Sequence, residues 1–136
     1  MTATALDRSS VLIVALDGPI PVDLPKAEVL VVAPALNSRV RHWVSDEDAA
    51  RSRAQQRVTA WLDRLARAGV HARGHVGDAD PLQAIADALP AFPADEIVIA
   101  GRSEPSIRLA EKLVPRAGRR FRLPVVRAEE SLPAAA

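Results

Sequence analysis

The sequence predicts a single α/β domain built on a short, doubly wound parallel sheet. Three observations carry that prediction. Short runs of consecutive Val, Ile and Leu suit strands buried on both faces, as parallel strands under helices are. Stretches with apolar residues at helical spacing lie between them. The chain has 136 residues, of which 49% are hydrophobic and 26% charged, the size and balance of one packed core.

The runs at 11–16, 29–33 and 97–100 are the predicted central strands. Residues 70–76 alternate Val70, Ala72, Gly74 and Val76 with His71, Arg73 and His75, the pattern of an edge strand with one solvated face. The last strand is expected at 123–126, with Pro124 at its start, where a missing N–H is tolerated on an edge. The first helix is expected from a cap at Ser45, with Asp48 three residues on, to Gly69; its core face is Ala54, Val58, Trp61, Leu62 and Leu65. The second has Asp80 as N-cap, Pro81 in its first turn and a stripe of Leu82, Ile85, Ala86 and Leu89, ended by Pro90. The third, over 106–119, buries Ile107, Ala110, Leu113, Val114 and Ala117, and Pro115 is expected to kink it near Glu111. Residues 18–27 hold Pro19, Pro21 and Pro25 and are too broken for the helix that completes a parallel crossover. An extended connection can still span the distance, since ten residues reach ~33 Å. Losing that helix would leave apolar residues of 11–16 and 97–100 uncovered, so a second copy, another protein or a shifted segment is expected over them. An antiparallel first hairpin is the competing topology. The expected organisation is a flexible stretch at 1–10, one domain over 11–128 and a flexible tail at 129–136.

With no cysteine, the fold cannot rest on disulfides or thiolate metal sites. The first ten residues include Asp7 and Arg8 and lack an apolar run, unlike a signal peptide, and no stretch approaches the ~20 apolar residues of a membrane span. The expectation is a cytoplasmic protein that does not engage membranes. A formal net charge of +1 gives no overall field that would name nucleic acid as a partner.

Catalytic apparatus is hard to find. His71 and His75 would stand about 13 Å apart on a strand, too far to share a metal. No Gly-x-Ser-x-Gly elbow or Gly-x4-Gly-Lys-Ser/Thr loop is present. Asp46, Asp48, Asp95 and Glu96 fall at strand starts or helix N-termini, where the helix dipole accounts for acids. The expected catalytic set, metal set and cofactor set are therefore empty. Two loops nevertheless converge on the crevice beyond the strands' carboxyl ends, where a doubly wound sheet binds ligands. Asp17 and Gly18 follow the first strand. Gly101, Arg102 and Ser103 follow the fourth and precede a helix whose N–H groups can receive an anion; the same glycine also suits a tight turn. A polar loop with Asn37, Ser38, Arg39, Arg41, His42 and Trp43 could wall that crevice or simply connect elements. On the third helix Arg108, Lys112, Arg116 and Arg119 form a basic stripe opposite the apolar face, read first as a solvated surface, with nucleic-acid or other polyanion binding as the minor alternative.

The order of these elements, with Val11 to Gly18 as an opening strand, Gly77-Asp78-Ala79-Asp80-Pro81 as a Gly-Asp-Pro-like helix opening, and Ala94-Asp95-Glu96-Ile97-Val98-Ile99-Ala100-Gly101 as a fourth strand, resembles the universal stress protein family; Leu123-Pro124-Val125-Val126 resembles its final strand. The resemblance implies strand order 3-2-1-4-5, a homodimer formed along the last strand, Asp17 near an adenine and Gly101 opening a phosphate loop. The family's ATP-binding branch uses Gly-x2-Gly-x9-Gly-Ser/Thr. Here Glu104 takes the second glycine's place and Val114-Pro115 replaces the Gly-Ser/Thr. The implied function is a non-catalytic regulatory or stress-response protein that has lost ATP binding and holds another small ligand or a protein partner. The alternative is a nucleotide-binding protein or weak ATPase with a degenerate loop.

Overall fold

The apolar runs become the central strands they predict, because side chains on both faces find cover. The structure, a computed structural model, describes residues 9–22, 24, 27–36 and 47–128. In chain order it contains β1 (Ser10–Ala15), β2 (Glu28–Pro34), α1 (Glu47–Arg67), β3 (Ala72–Gly77), α2 (Pro81–Ala88), β4 (Glu96–Ala100), α3 (Glu104–Phe121) and β5 (Val125–Ala128). The sheet has the order β3-β2-β1-β4-β5, and every pairing is parallel. Leu12 of β1 lies level with Leu30 of β2 and Ile97 of β4. The antiparallel first hairpin is thereby excluded.

Strand alternation sorts the core into two layers. Val11, Ile13, Ala15, Val31, Ala33 and Val98 pack with Ala54, Val58 and Trp61 of α1. Leu12, Val14, Val32, Ile97 and Ile99 pack with Ile85 of α2 and Ala110, Leu113 and Ala117 of α3. In α2 the innermost residues are Ala84, Ile85 and Ala88. Leu82 and Leu89 flank them half-buried, so the buried stripe is rotated slightly from the predicted one.

Between β1 and β2 no described residue is helical, yet the first layer is not left open. Ile20 and Leu24 of the crossover are buried beside Val11, Ile13, Val98 and Ala100, and Val22 packs against them. The expected uncovered patch is closed by the crossover's own side chains, which extended backbone can point inward as effectively as a helix. Among the described residues, Val126 is the exposed large hydrophobic residue, at 44%.

Helix ends follow their predicted chemistry. Gly69, with φ +79°, lets Val70 N donate to Leu65 O and Gly69 N to Ala66 O, which satisfies carbonyls at the end of α1. Asp80 Oδ1 accepts Leu82 N at 3.0 Å and starts α2. The predicted caps of α1 at Ser45, the loop 37–43, and the terminal stretches 1–8 and 129–136 lie outside the described residues.

Most boundaries shift by one or two residues, β3 for instance running over Ala72–Gly77 instead of 70–76, and two of the differences involve prolines. α3 runs uninterrupted through Pro115 from Glu104 to Phe121; losing one interior N–H is tolerated where Pro115 faces solvent and the rest of the helix is anchored by its buried face. β5 starts at Val125, two residues late, because Pro124 contributes its carbonyl to Ile97 N rather than an N–H to the ladder. Asp95 also has a more specific role than helix-dipole compensation: Ser10 N donates to its carboxylate at 2.9 Å while Asp95 N donates to Ser10 O, clasping the starts of β1 and β4.

Candidate functional site

At the carboxyl ends of β1 and β4 the strand order reverses, and two loops meet there. Asp17 follows β1 closely, and its carboxylate reaches across to the turn between β4 and α3. Oδ2 accepts Arg102 N at 2.7 Å and Ser103 N at 2.9 Å. Oδ1 accepts the Ser103 hydroxyl at 3.5 Å, and the Ser106 side chain adds a further hydrogen bond. Ser103 in turn caps α3, its Oγ accepting Ser106 N. An aspartate thus sits at the positive end of the 18-residue α3, with the amides and dipole that a bound anion would use.

The sequence-predicted residues Asp17, Arg102 and Ser103 are therefore joined directly, and Gly101 makes the junction possible. A Cβ on Gly101 would lie 2.8 Å from Ser106 Cβ and 3.1 Å from the Ser106 backbone, so only glycine lets the turn fold this tightly onto α3. Gly18 differs. A Cβ there meets nothing within 4 Å, and its backbone is not left-handed, so neither sterics nor conformation within the described chain demands glycine.

Two side chains of α1 close the site from below. Trp61 is fully buried and donates Nε1–H to Asp17 O at 2.9 Å. Arg57 donates from Nη2 to Pro34 O at 2.5 Å and from Nε to Ala15 O at 3.3 Å, so one guanidinium ties the ends of β1 and β2. Sequence reasoning missed Arg57. Its position signalled it, since Arg57 interrupts the apolar series Ala54, Val58 and Trp61 at the spacing of a core-facing residue.

Charge in the site is balanced locally. Burial opposes ionisation of Asp17, but the hydrogen bonds from Ser103 and Arg102 amides, with Ser106 and Ser103, outweigh it and hold the carboxyl below its ordinary value. Burial pulls the Arg57 guanidinium down, the Asp17 charge opposes that, and Arg53 adds to it. A carboxylate held ionised by several donors is a weak proton acceptor, so Asp17 is poorly suited to activate Ser103 or Ser106 as a nucleophile. Glu104 stands at the start of α3, exposed and 3.4 Å from Arg108. His75 lies on β3, the far edge of the sheet, and His71 immediately precedes that strand. Among the described residues no group of three His, Cys, Asp or Glu side chains could hold a metal ion, and no helix is long and apolar enough to cross a membrane.

No family model matches the chain, and no curated protein sequence matches it. Among solved structures, the chain is similar to the crystal structure of a universal stress protein family protein from Arabidopsis thaliana with AMP bound, at 10% identity. The match covers 94% of this chain and 95% of that one, with a TM-score of 0.59. The fold is that of a universal stress protein. The strand order implied by the resemblance is the order found, and the fold is kept although none of the described residues between β1 and β2 is helical.

Proposed function

We propose that this chain is a non-catalytic regulatory or stress-response protein of universal-stress-protein type whose crevice does not take ATP. The observation that carries the reading is the Asp17 carboxylate on the Arg102 and Ser103 amides: the donors that would receive a phosphate already hold an anion of the chain's own. A second negative charge ~4 Å from Asp17 or Glu104 costs about 1 kcal/mol in water-like surroundings and about 4 kcal/mol where partly buried. Asp17, Gly18, Gly101, Arg102 and Ser103 are, in this reading, the seat of a small ligand lacking a phosphate, with open space beside Gly18, where an added Cβ meets nothing within 4 Å. A homodimer along β5 belongs to the same reading, supported by exposed Val126 on β5, an edge strand that pairs with β4 alone among the described strands.

The second reading, nucleotide binding through a degenerate loop, is favoured by the AMP held by the Arabidopsis protein. Isothermal calorimetry with magnesium ATP and with AMP separates the two. The proposed function requires affinity no tighter than about 1 mM, a binding free energy of about 4 kcal/mol, and micromolar binding of either nucleotide overturns it. Glu104→Gly improves affinity only if the helix start is the remaining obstacle.

A further inference from the structure

The formal charge of +1 conceals a strong segregation. From residue 112 to residue 128 the chain carries Lys112, Arg116, Arg119, Arg120, Arg122 and Arg127 and not one acid. The structure concentrates part of this set on a single face. Arg108, Lys112, Arg116 and Arg119 follow one another at i+4, i+8 and i+11 along α3, opposite the buried Ala110, Leu113 and Ala117, and extend over ~16 Å of helix. All four are exposed. Arg108 is engaged by Glu104, whereas Lys112, Arg116 and Arg119 have no carboxylate partner among the described residues.

We propose that this face of α3 binds the phosphodiester backbone of duplex nucleic acid without reading its sequence. Charge complementarity identifies the occupant, since a duplex presents one negative charge per ~1.7 Å of its axis and three or four cations in a row match a regular array of phosphates. The other polyanionic surfaces fit less well. A membrane-bound helix inserts an apolar face, and the apolar face of α3 is buried in the core. A protein partner is anchored by apolar or aromatic side chains at the centre of the interface, and this stripe offers none. Single strands are gripped by stacking, but Trp61 and Phe92 are buried and Phe121 is half-buried, with the Arg120 guanidinium 5.2 Å from its ring centre.

The test is fluorescence anisotropy with labelled 20-base-pair DNA and RNA duplexes of mixed sequence, titrated with the full chain at several salt concentrations. Three neutralised phosphates give a slope of log K against log salt near −2.7, so binding weakens about 40-fold between 50 and 200 mM salt. The triple variant Lys112→Gln/Arg116→Gln/Arg119→Gln abolishes binding while melting like the parent. The control Arg51→Gln/Arg53→Gln/Arg64→Gln, which removes the same charge from exposed positions of α1, keeps most of it. DNA and RNA duplexes binding alike mark a backbone contact, and preference for one shows which duplex the stripe serves. The proposal is overturned by no duplex binding at 50 mM salt, by equal losses in the two triple variants, or by binding to phosphatidylserine vesicles or polyglutamate in place of duplex.

Discussion

Replacing Arg57 with methionine removes the clamp between β1 and β2 while keeping an unbranched apolar stem. The guanidinium makes two charge-assisted hydrogen bonds, to Ala15 O and Pro34 O. Each is worth about 1.5–3 kcal/mol when donor or acceptor is charged. Pro34 O keeps a second donor, Leu36 N at 2.8 Å, so the loss falls mainly on Ala15 O, and part of it is offset because a half-buried charge no longer needs to be desolvated. The expected net cost is about 2 kcal/mol, or roughly 6–10 °C in melting temperature for a domain of this size. Urea unfolding followed by circular dichroism measures it, with an unchanged m-value as the sign that the fold is otherwise intact. Arg57→Lys should recover less than half, because a single ammonium cannot span two carbonyls as a guanidinium fork does. Arg64→Met, at an exposed position of the same helix, should fall within about 0.5 kcal/mol of the parent. The reasoning fails if Arg57→Met is as mild as Arg64→Met.

Three further outcomes follow from close contacts and caps. Gly77→Ala places a methyl 2.7 Å from Val32 Cγ1 and 2.8 Å from Ala84 Cβ, and overpacking of that kind costs about 1–3 kcal/mol; chemical denaturation showing no loss would mean α2 moves freely. Arg122 closes α3 at φ 55°, so Arg122→Gly should stabilise by about 0.5–1 kcal/mol, and a drop in melting temperature would contradict the left-handed cap. Because the Asp17 carboxyl titrates below its ordinary 3.8 in the fold, its contribution is complete above that value and is lost as pH falls through the lower folded value. The stability gap between the parent and Asp17→Asn should therefore narrow as pH falls below about 4, and a gap that stays constant on acidification would show that the charge is not what matters.

The sheet was legible because two-faced burial leaves a direct mark: consecutive apolar residues at 11–16, 29–33 and 97–100 admit little else once helical stripes lie between them. The edge character of β3 was legible in the alternation of His71, Arg73 and His75 with smaller residues. Local chemistry placed the Asp80 cap and the Gly69 stop for the same reason. Less visible were features that depend on three-dimensional placement. Ile20 and Leu24 look like stray apolar residues in a proline-broken loop, and only the folded crossover shows them as lids on the first layer. Asp17 and Gly101 could be placed near one another, yet their spacing could not say that the carboxylate would sit on the Arg102 and Ser103 amides. Arg57 was hidden among the many arginines of α1, where its spacing matters more than its type.

The occupation of the α3 start by Asp17 is tested most directly by melting the parent and Asp17→Ala in sodium phosphate against sodium chloride at matched ionic strength. In the parent, phosphate should add only its general, site-independent stabilisation over chloride, since the α3 amides are already engaged. Asp17→Ala should melt lower in chloride and regain stability with phosphate, approaching ~2.7 kcal/mol at a hundred times the dissociation constant. Phosphate stabilising the parent as much as the variant would contradict a self-occupied anion seat.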